Sequence, residues 1–217
     1  MILSPVVMAQ EEKEPVDFDV VREEINNRYS DSYYPKLMNR YMDNDTTLTL
    51  NDFRNLYYGY TLQEDYNPYR ISRYSVMVKD FALAAVAENV QCDSLIKYGE
   101  LAAADFPFDI RSMNLLIYGY KCKGDEEKMK TWAYKLTGII DAIISTGDGL
   151  SADSPMQVIY APHEYEVIHR FGLNVKSNIL MPPNMEYLEV DDNRFNIDGY
   201  YFDISRILEV YDEKFAQ

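Results

Sequence analysis

Both histidines of the chain lie in one short stretch, "APHEYEVIHRFG", with two glutamates between them. Histidine and glutamate together can bind zinc or pass protons. A zinc peptidase needs two histidines four apart on one helical face, with a glutamate beside the first. Here His163 and His169 are six apart, about 120° from each other around a helix, so that chemistry is excluded and both are expected as partly exposed helix residues. His163, Glu164 and Glu166, with Asp148 in the "GDG" loop at Gly147–Gly149, remain the one cluster to weigh as a hydrolytic site. That loop, "STGDGLSADS", lacks the lysine and spacing of a phosphate loop and surrounds any phosphate with Asp148 and Asp153. Asp148, Ser151 and Asp153, or Asp191, Asp192, Asn193 and Asp198 in "DDNRFNID", offer oxygen to a cation. Neither set has the alternating ligands and closing glutamate of a calcium loop, and turn chemistry explains both. No metal and no cofactor is expected. Ser151 and Ser154 lack a glycine-flanked nucleophile turn, and Cys92 and Cys122 lack the local pattern of a catalytic thiol. The balance favours a non-catalytic protein.

Surface chemistry is more legible in "DFPFDIRSMNLLIYGYKCKGDEEKMKTWAYKL". Met113, Leu116, Ile117 and Tyr120 recur at helical spacing, as do Met129, Trp132, Ala133, Leu136 and Ile140, so each set makes an apolar face. Gly124 ends the first helix and Asp125 caps the second, giving a helical hairpin. With the apolar set inward, Arg111, Asn114, Tyr118 and Lys121 form a separate polar stripe on the first helix. The stripe is basic on an acidic protein and suits an acidic or carboxylate-ended peptide; a plain solvated face is the alternative.

The elements that position these residues are mostly helical. "FDVVREEINNRY", "YYPKLMNRYM", "TLTLNDFRNLYYGY" (capped by Thr49 or Asn51), "SVMVKDFALAAVAENV" and "SLIKYGELAAADF" read as helices, with breaks at Asn67-Pro68 and Pro107. After Gly147–Gly149, "MQVIYAPHEYEVIHRFG" reads as a short strand then a short helix. The run from Met185 onward alternates around two turns as a β-hairpin or small meander, followed by a final helix. Four segments are expected: 1–9, a signal-peptide remnant; 10–16, an acidic disordered stretch; 17–146, a helical repeat-like region; and 147–217, an α+β portion packed on it.

Composition narrows the partners. Thirty-six acidic against twenty-one basic residues give a net charge of -15, which repels nucleic acid and anionic membrane surfaces. No run approaches the ~20 apolar residues of a membrane span, so membrane insertion is not expected. The two cysteines pair in an oxidising compartment or sit as small buried hydrophobes; the second is the reading adopted. Twenty tyrosines suit core packing first and binding surfaces second.

Leu116, Tyr120, Gly124-Asp125, Ala133 and Leu136, with Ala102 and Pro107 one repeat earlier, resemble the tetratricopeptide repeat, in which helix pairs recur every ~34 residues. Ile117 and Met129 depart from that pattern, and the likeness covers about 65 residues. "LYYGY" at 56–60 also recurs as "LIYGY" at 116–120. The resemblance implies stacked helical hairpins, a tetratricopeptide-like α-α superhelix, in which Arg111, Asn114, Tyr118 and Lys121 line a concave groove. A second resemblance covers most of the chain. "YYPKLMNRYMDNDTTLTLNDFRNLYYGYTLQEDYNPY", "GDGLSADSPMQVIYAPHEYEVI", "YLEV" and "GYYFDIS" are similar to exported proteins of Bacteroides-type bacteria known only as a domain of unknown function. That likeness implies export from a Gram-negative cell and a mature chain beginning near Gln10. The expected function is therefore a periplasmic or secreted binding module for a protein or peptide partner in the cell envelope. The alternative is an envelope hydrolase at His163 and the Gly147–Gly149 loop.

Overall fold

The computed structural model describes residues 13–74 and 91–215. The expected helix over 75–90, the signal-peptide remnant at 1–9 and residues 10–12 lie outside the described residues. Within them the chain forms eight helices and one small sheet.

Helices α1 (Phe18–Asn26), α2 (Tyr34–Met42) and α3 (Leu50–Tyr60) come first. Asp17 caps α1 by accepting from the N–H groups of Asp19 and Val20, and Thr49 and Asp52 close a reciprocal box at the start of α3. Almost all of α3 is buried, from Asp52 to Tyr60 with only Arg54 half-exposed, because other elements surround it. Helices α4 (Cys92–Asp105), α5 (Ile110–Lys123) and α6 (Glu126–Ile144) follow as consecutive packed pairs, α4 on α5 and α5 on α6; α6 also packs on α3. Gly124, at φ +73°, ends α5, and the Asp125 carboxylate accepts from the Lys128 N–H at 3.1 Å to start α6. At Gly138 a Cβ would fall 2.3 Å from the Phe53 ring, so the α3–α6 crossing requires glycine there.

Cys92 and Cys122 are disulfide-bonded and tie the start of α4 to the last turn of α5. This corrects the expectation of two buried free thiols. The pairing depends on two helix ends meeting across thirty residues, which spacing alone does not give.

Strand β1 (Met156–Gln157), helix α7 (Pro162–Arg170), strands β2 (Val175–Met181), β3 (Met185–Val190) and β4 (Gly199–Asp203), and helix α8 (Ser205–Phe215) complete the chain. Strand order is β1-β4-β3-β2, with β1 parallel to β4 and the other pairs antiparallel. The β3–β4 pair was expected; edge strand β2 was not. One buried cluster runs from Val21 and Leu56 through Ile139 and Ile143 to Leu188, Phe202 and Val210, so the helical and the C-terminal portions share a core. Residues at the end of the 10–16 segment meet the helical and C-terminal portions. The Glu14 N–H donates to the Ser145 carbonyl (3.0 Å), Arg54 Nη2 donates to the Glu14 carbonyl (2.9 Å), and the Val16 N–H reaches Gln157 Oε1 (2.5 Å).

Tyrosines stitch this core. Tyr41, Tyr58 and Tyr66 bury their rings and donate their hydroxyls to the carbonyls of Pro107, Gln157 and Ile159. Each thereby satisfies a backbone acceptor far away in sequence.

Candidate functional site

Helix α7 starts at Pro162, whose fixed φ suits a first helical position, and carries four polar or aromatic residues in a row. Helical geometry sends each in a different direction. His163 turns into the core, where it is 2% exposed among Phe106, Tyr160 and Tyr57. Its Nδ1 lies 2.7 Å from Tyr57 Oη, which also accepts the Ile159 N–H at 3.3 Å. With that acceptor role filled, Tyr57 donates to Nδ1, and the network assigns the ring proton to Nε2. Nε2 has no hydrogen bond of good geometry among the described residues, although the Phe108 carbonyl lies near enough to favour a proton on the ring. Burial overrides that pull and, with the Arg111 charge acting in the same sense, brings His163 down to about 3. It is a neutral core residue, which corrects the expected partial exposure; His169 is exposed.

Glu164 is fully buried, and neither carboxyl oxygen has a hydrogen-bond partner among the described residues. Burial, and secondarily the facing carboxyl of Glu186 on β3, push it up to about 10, so it is a protonated acid at neutral pH. Asn178 on β2 donates to Glu186 Oε2 (3.0 Å) and to Tyr165 Oη (3.2 Å), fastening the edge strand to α7.

Glu166 turns the other way, towards α5. Its Oε1 accepts from Arg111 Nε at 3.0 Å and its Oε2 from Asn114 Nδ2 at 3.3 Å. Residues from the expected stripe and from the expected hydrolytic cluster are thus brought together, and the stripe is less basic than its sequence implies. Arg111, Asn114, Tyr118 and Lys121 are all exposed, while Met113, Leu116 and Tyr120 behind them are buried and Ile117 is half-buried. Among the described residues Lys121 makes no ion pair.

Asp148 is not brought to this cluster. Its Oδ1 accepts from the Leu150 N–H (2.9 Å), and its own N–H donates to Ser154 Oγ (3.1 Å). The Tyr201 N–H bonds the Gly149 carbonyl (2.7 Å), docking the loop on β4. A Cβ at Gly147 would lie 2.2 Å from the Pro155 carbonyl, and Gly149 sits at φ +69°. The glycines therefore serve the turn. In "DDNRFNID", Asn193 likewise bridges the carbonyls of Asp191 and Ile197 at 3.0 and 2.7 Å. Beside it opens a cleft of 320 Å³ lined in part by Lys176, Tyr187, Asp192 and Asp198. Among the described residues no three His, Cys, Asp or Glu side chains converge to hold a metal, and no helix is long and apolar enough to cross a membrane.

Sequence reasoning missed Tyr57, Glu186 and Lys135. Glu186 shares the strand phase of Leu188 and Val190, a signal that an acid points inward. Lys135 is buried with its ammonium 4.6 Å from the Tyr41 ring and 4.7 Å from that of Trp132, and burial brings it down to about 8.

Together these features define a mainly helical protein with a small mixed sheet, in which the acid–base residues of α7 are divided between the core and an exposed helix face. A family model described as a domain of unknown function, DUF4919, matches residues 19–213, and the chain belongs to that family. No curated protein and no solved structure matches it.

Proposed function

We propose that the chain is an exported, non-catalytic module of the cell envelope that binds a peptide or protein segment along the exposed side of α5. The observation that carries this reading is the strip of Arg111, Asn114, Tyr118 and Lys121, exposed above a buried apolar face. Its side chains reach solvent in positions fixed by the packing beneath them. The consecutive α4–α5 and α5–α6 pairs are read as tetratricopeptide-like hairpins, with the strip as their binding face. The Cys92–Cys122 bond suits an oxidising compartment, which supports a periplasmic or secreted location. At physiological ionic strength fields are screened within about 8 Å, so the strip's own cations govern contact more than the net charge of -15 does.

One observation favours the hydrolase reading: Glu164 is an acid at neutral pH and faces a second carboxyl. Full burial of Glu164 and the engagement of His163 by Tyr57 weigh against it. Fluorescence anisotropy of labelled acidic peptides against the wild type and an Arg111→Glu/Lys121→Glu variant tests the binding reading. Saturable binding lost in the variant is the expected result, and equal titrations for the two proteins would remove it.

A further inference from the structure

Glu166 meets two donors of the strip with two separate oxygens, Arg111 Nε at 3.0 Å and Asn114 Nδ2 at 3.3 Å. That is how a carboxylate from outside would be held. The Glu166 side chain is only 12% exposed, whereas that of Arg111 is 63% exposed, so the glutamate approaches from below and the guanidinium faces solvent. Among the described residues Arg111 donates a hydrogen bond through Nε alone, and its two Nη atoms donate none. Arginine recognises carboxylates best through paired donors, and pinning Nε fixes the direction in which the Nη pair points. One face of α5 then runs from Arg111 past Tyr118 to Lys121. Ten residues of helix span about 15 Å, the reach of about five residues of extended chain.

We infer that the strip takes an acidic peptide whose carboxylates meet Arg111 Nη and Lys121 Nζ, and that Glu166 is an internal surrogate carboxylate setting the affinity. This rests on the binding reading above and adds to it the contacts the acidic peptide makes and a specificity-determining residue. Glu166 orients Arg111 for the ligand and, by its own charge, opposes the ligand's negative charge. Glu166→Gln separates the two effects, since an amide oxygen still accepts from Nε while the charge is gone. Removing one like charge beside the contact is expected to tighten an acidic peptide about fivefold. A neutral peptide should be indifferent to it.

The test uses the full chain and two labelled peptides, acetyl-Glu-Gly-Gly-Gly-Gly-Glu-amide and its twin with glutamine for both glutamates. Anisotropy titrations compare wild type, Arg111→Glu/Lys121→Glu and Glu166→Gln, with circular dichroism melts confirming that each variant is folded. Tighter binding of the acidic peptide alone by Glu166→Gln, together with a steeper loss of affinity as salt rises, supports the inference. If the double variant loses binding while Glu166→Gln leaves it unchanged, or tightens both peptides equally, the surrogate role is overturned and the binding reading stands. If the wild type binds neither peptide, both are overturned. Should Glu166→Gln melt early, Glu166→Ser removes the same charge with a smaller side chain. The acidic peptide should then lose affinity more steeply as salt rises than it does with the wild type, and a dependence no steeper than the wild type's would overturn the surrogate role.

Discussion

Replacing Glu164 with glutamine removes an ionisable group from a site that holds it fully buried and without a hydrogen bond among the described residues. In the unfolded chain this carboxyl titrates near its ordinary 4.5, and in the folded protein near 10. Between those values the folded state keeps a proton that the unfolded state has released. Wild-type stability therefore carries the full contribution of this group below about pH 4.5 and loses it as pH rises towards about 10. Each pH unit costs about 1.4 kcal/mol, so at pH 7 the loss is about 3 kcal/mol. Glutamine has no such dependence, although its buried amide carries its own cost of about 1–3 kcal/mol wherever it lacks partners. The slope is thus the diagnostic, not the absolute stability. Urea unfolding of both proteins at each pH from 5 to 9 should show the variant gaining on the wild type by about 1.4 kcal/mol per pH unit. Parallel stability curves would refute the placement of a neutral, sealed carboxyl at Glu164.

Three further outcomes follow from the same geometry. His163 is held near 3 by burial, so its imidazole proton resonances should not titrate between pH 5 and 8, and a transition in that range would contradict its burial. Because its folded value lies below the ordinary 6.5, its contribution to stability is lost as pH falls from 6.5 towards 3; with Glu164 acting oppositely, these two groups give a plateau between about pH 4.5 and 6.5. The Cys92–Cys122 bond spans thirty residues, so a Cys92→Ala/Cys122→Ala variant should lose about 3–4 kcal/mol in urea unfolding, and an unchanged midpoint would show that the bond adds little. Gly138→Ala drives a methyl into the Phe53 ring and should cost about 1–3 kcal/mol, partly restored by Phe53→Leu; failure of that rescue would place the strain elsewhere.

Several helices were readable because they announce an end and an inner face locally. Asp17, Thr49, Gly124 and Asp125 act at the termini where their side-chain and backbone preferences suggest. Met113, Leu116 and Tyr120 point inward as their spacing requires, and that fixed the exposed strip beforehand. Strand β2 was hidden because "VKSNILM" is an edge strand, exposed on one face and only partly covered on the other, whose sequence does not alternate apolar with polar residues. His163 and Glu166 share one helix yet meet different partners, Tyr57 and Arg111, 106 and 55 residues away. Only tertiary contact separates the sealed half of that cluster from the open half. The turn role of Gly147 and Gly149 was legible in outline, whereas their docking on β4 was not.

The most direct measurement is a map of amide chemical shifts of the isotope-labelled chain during titration with the acidic hexapeptide. Perturbations confined to Arg111, Asn114, Tyr118, Lys121 and Glu166 are predicted, growing to saturation together. Perturbations centred elsewhere, for instance in the cleft beside Asn193, or none at all, would contradict the account of α5 as the binding face.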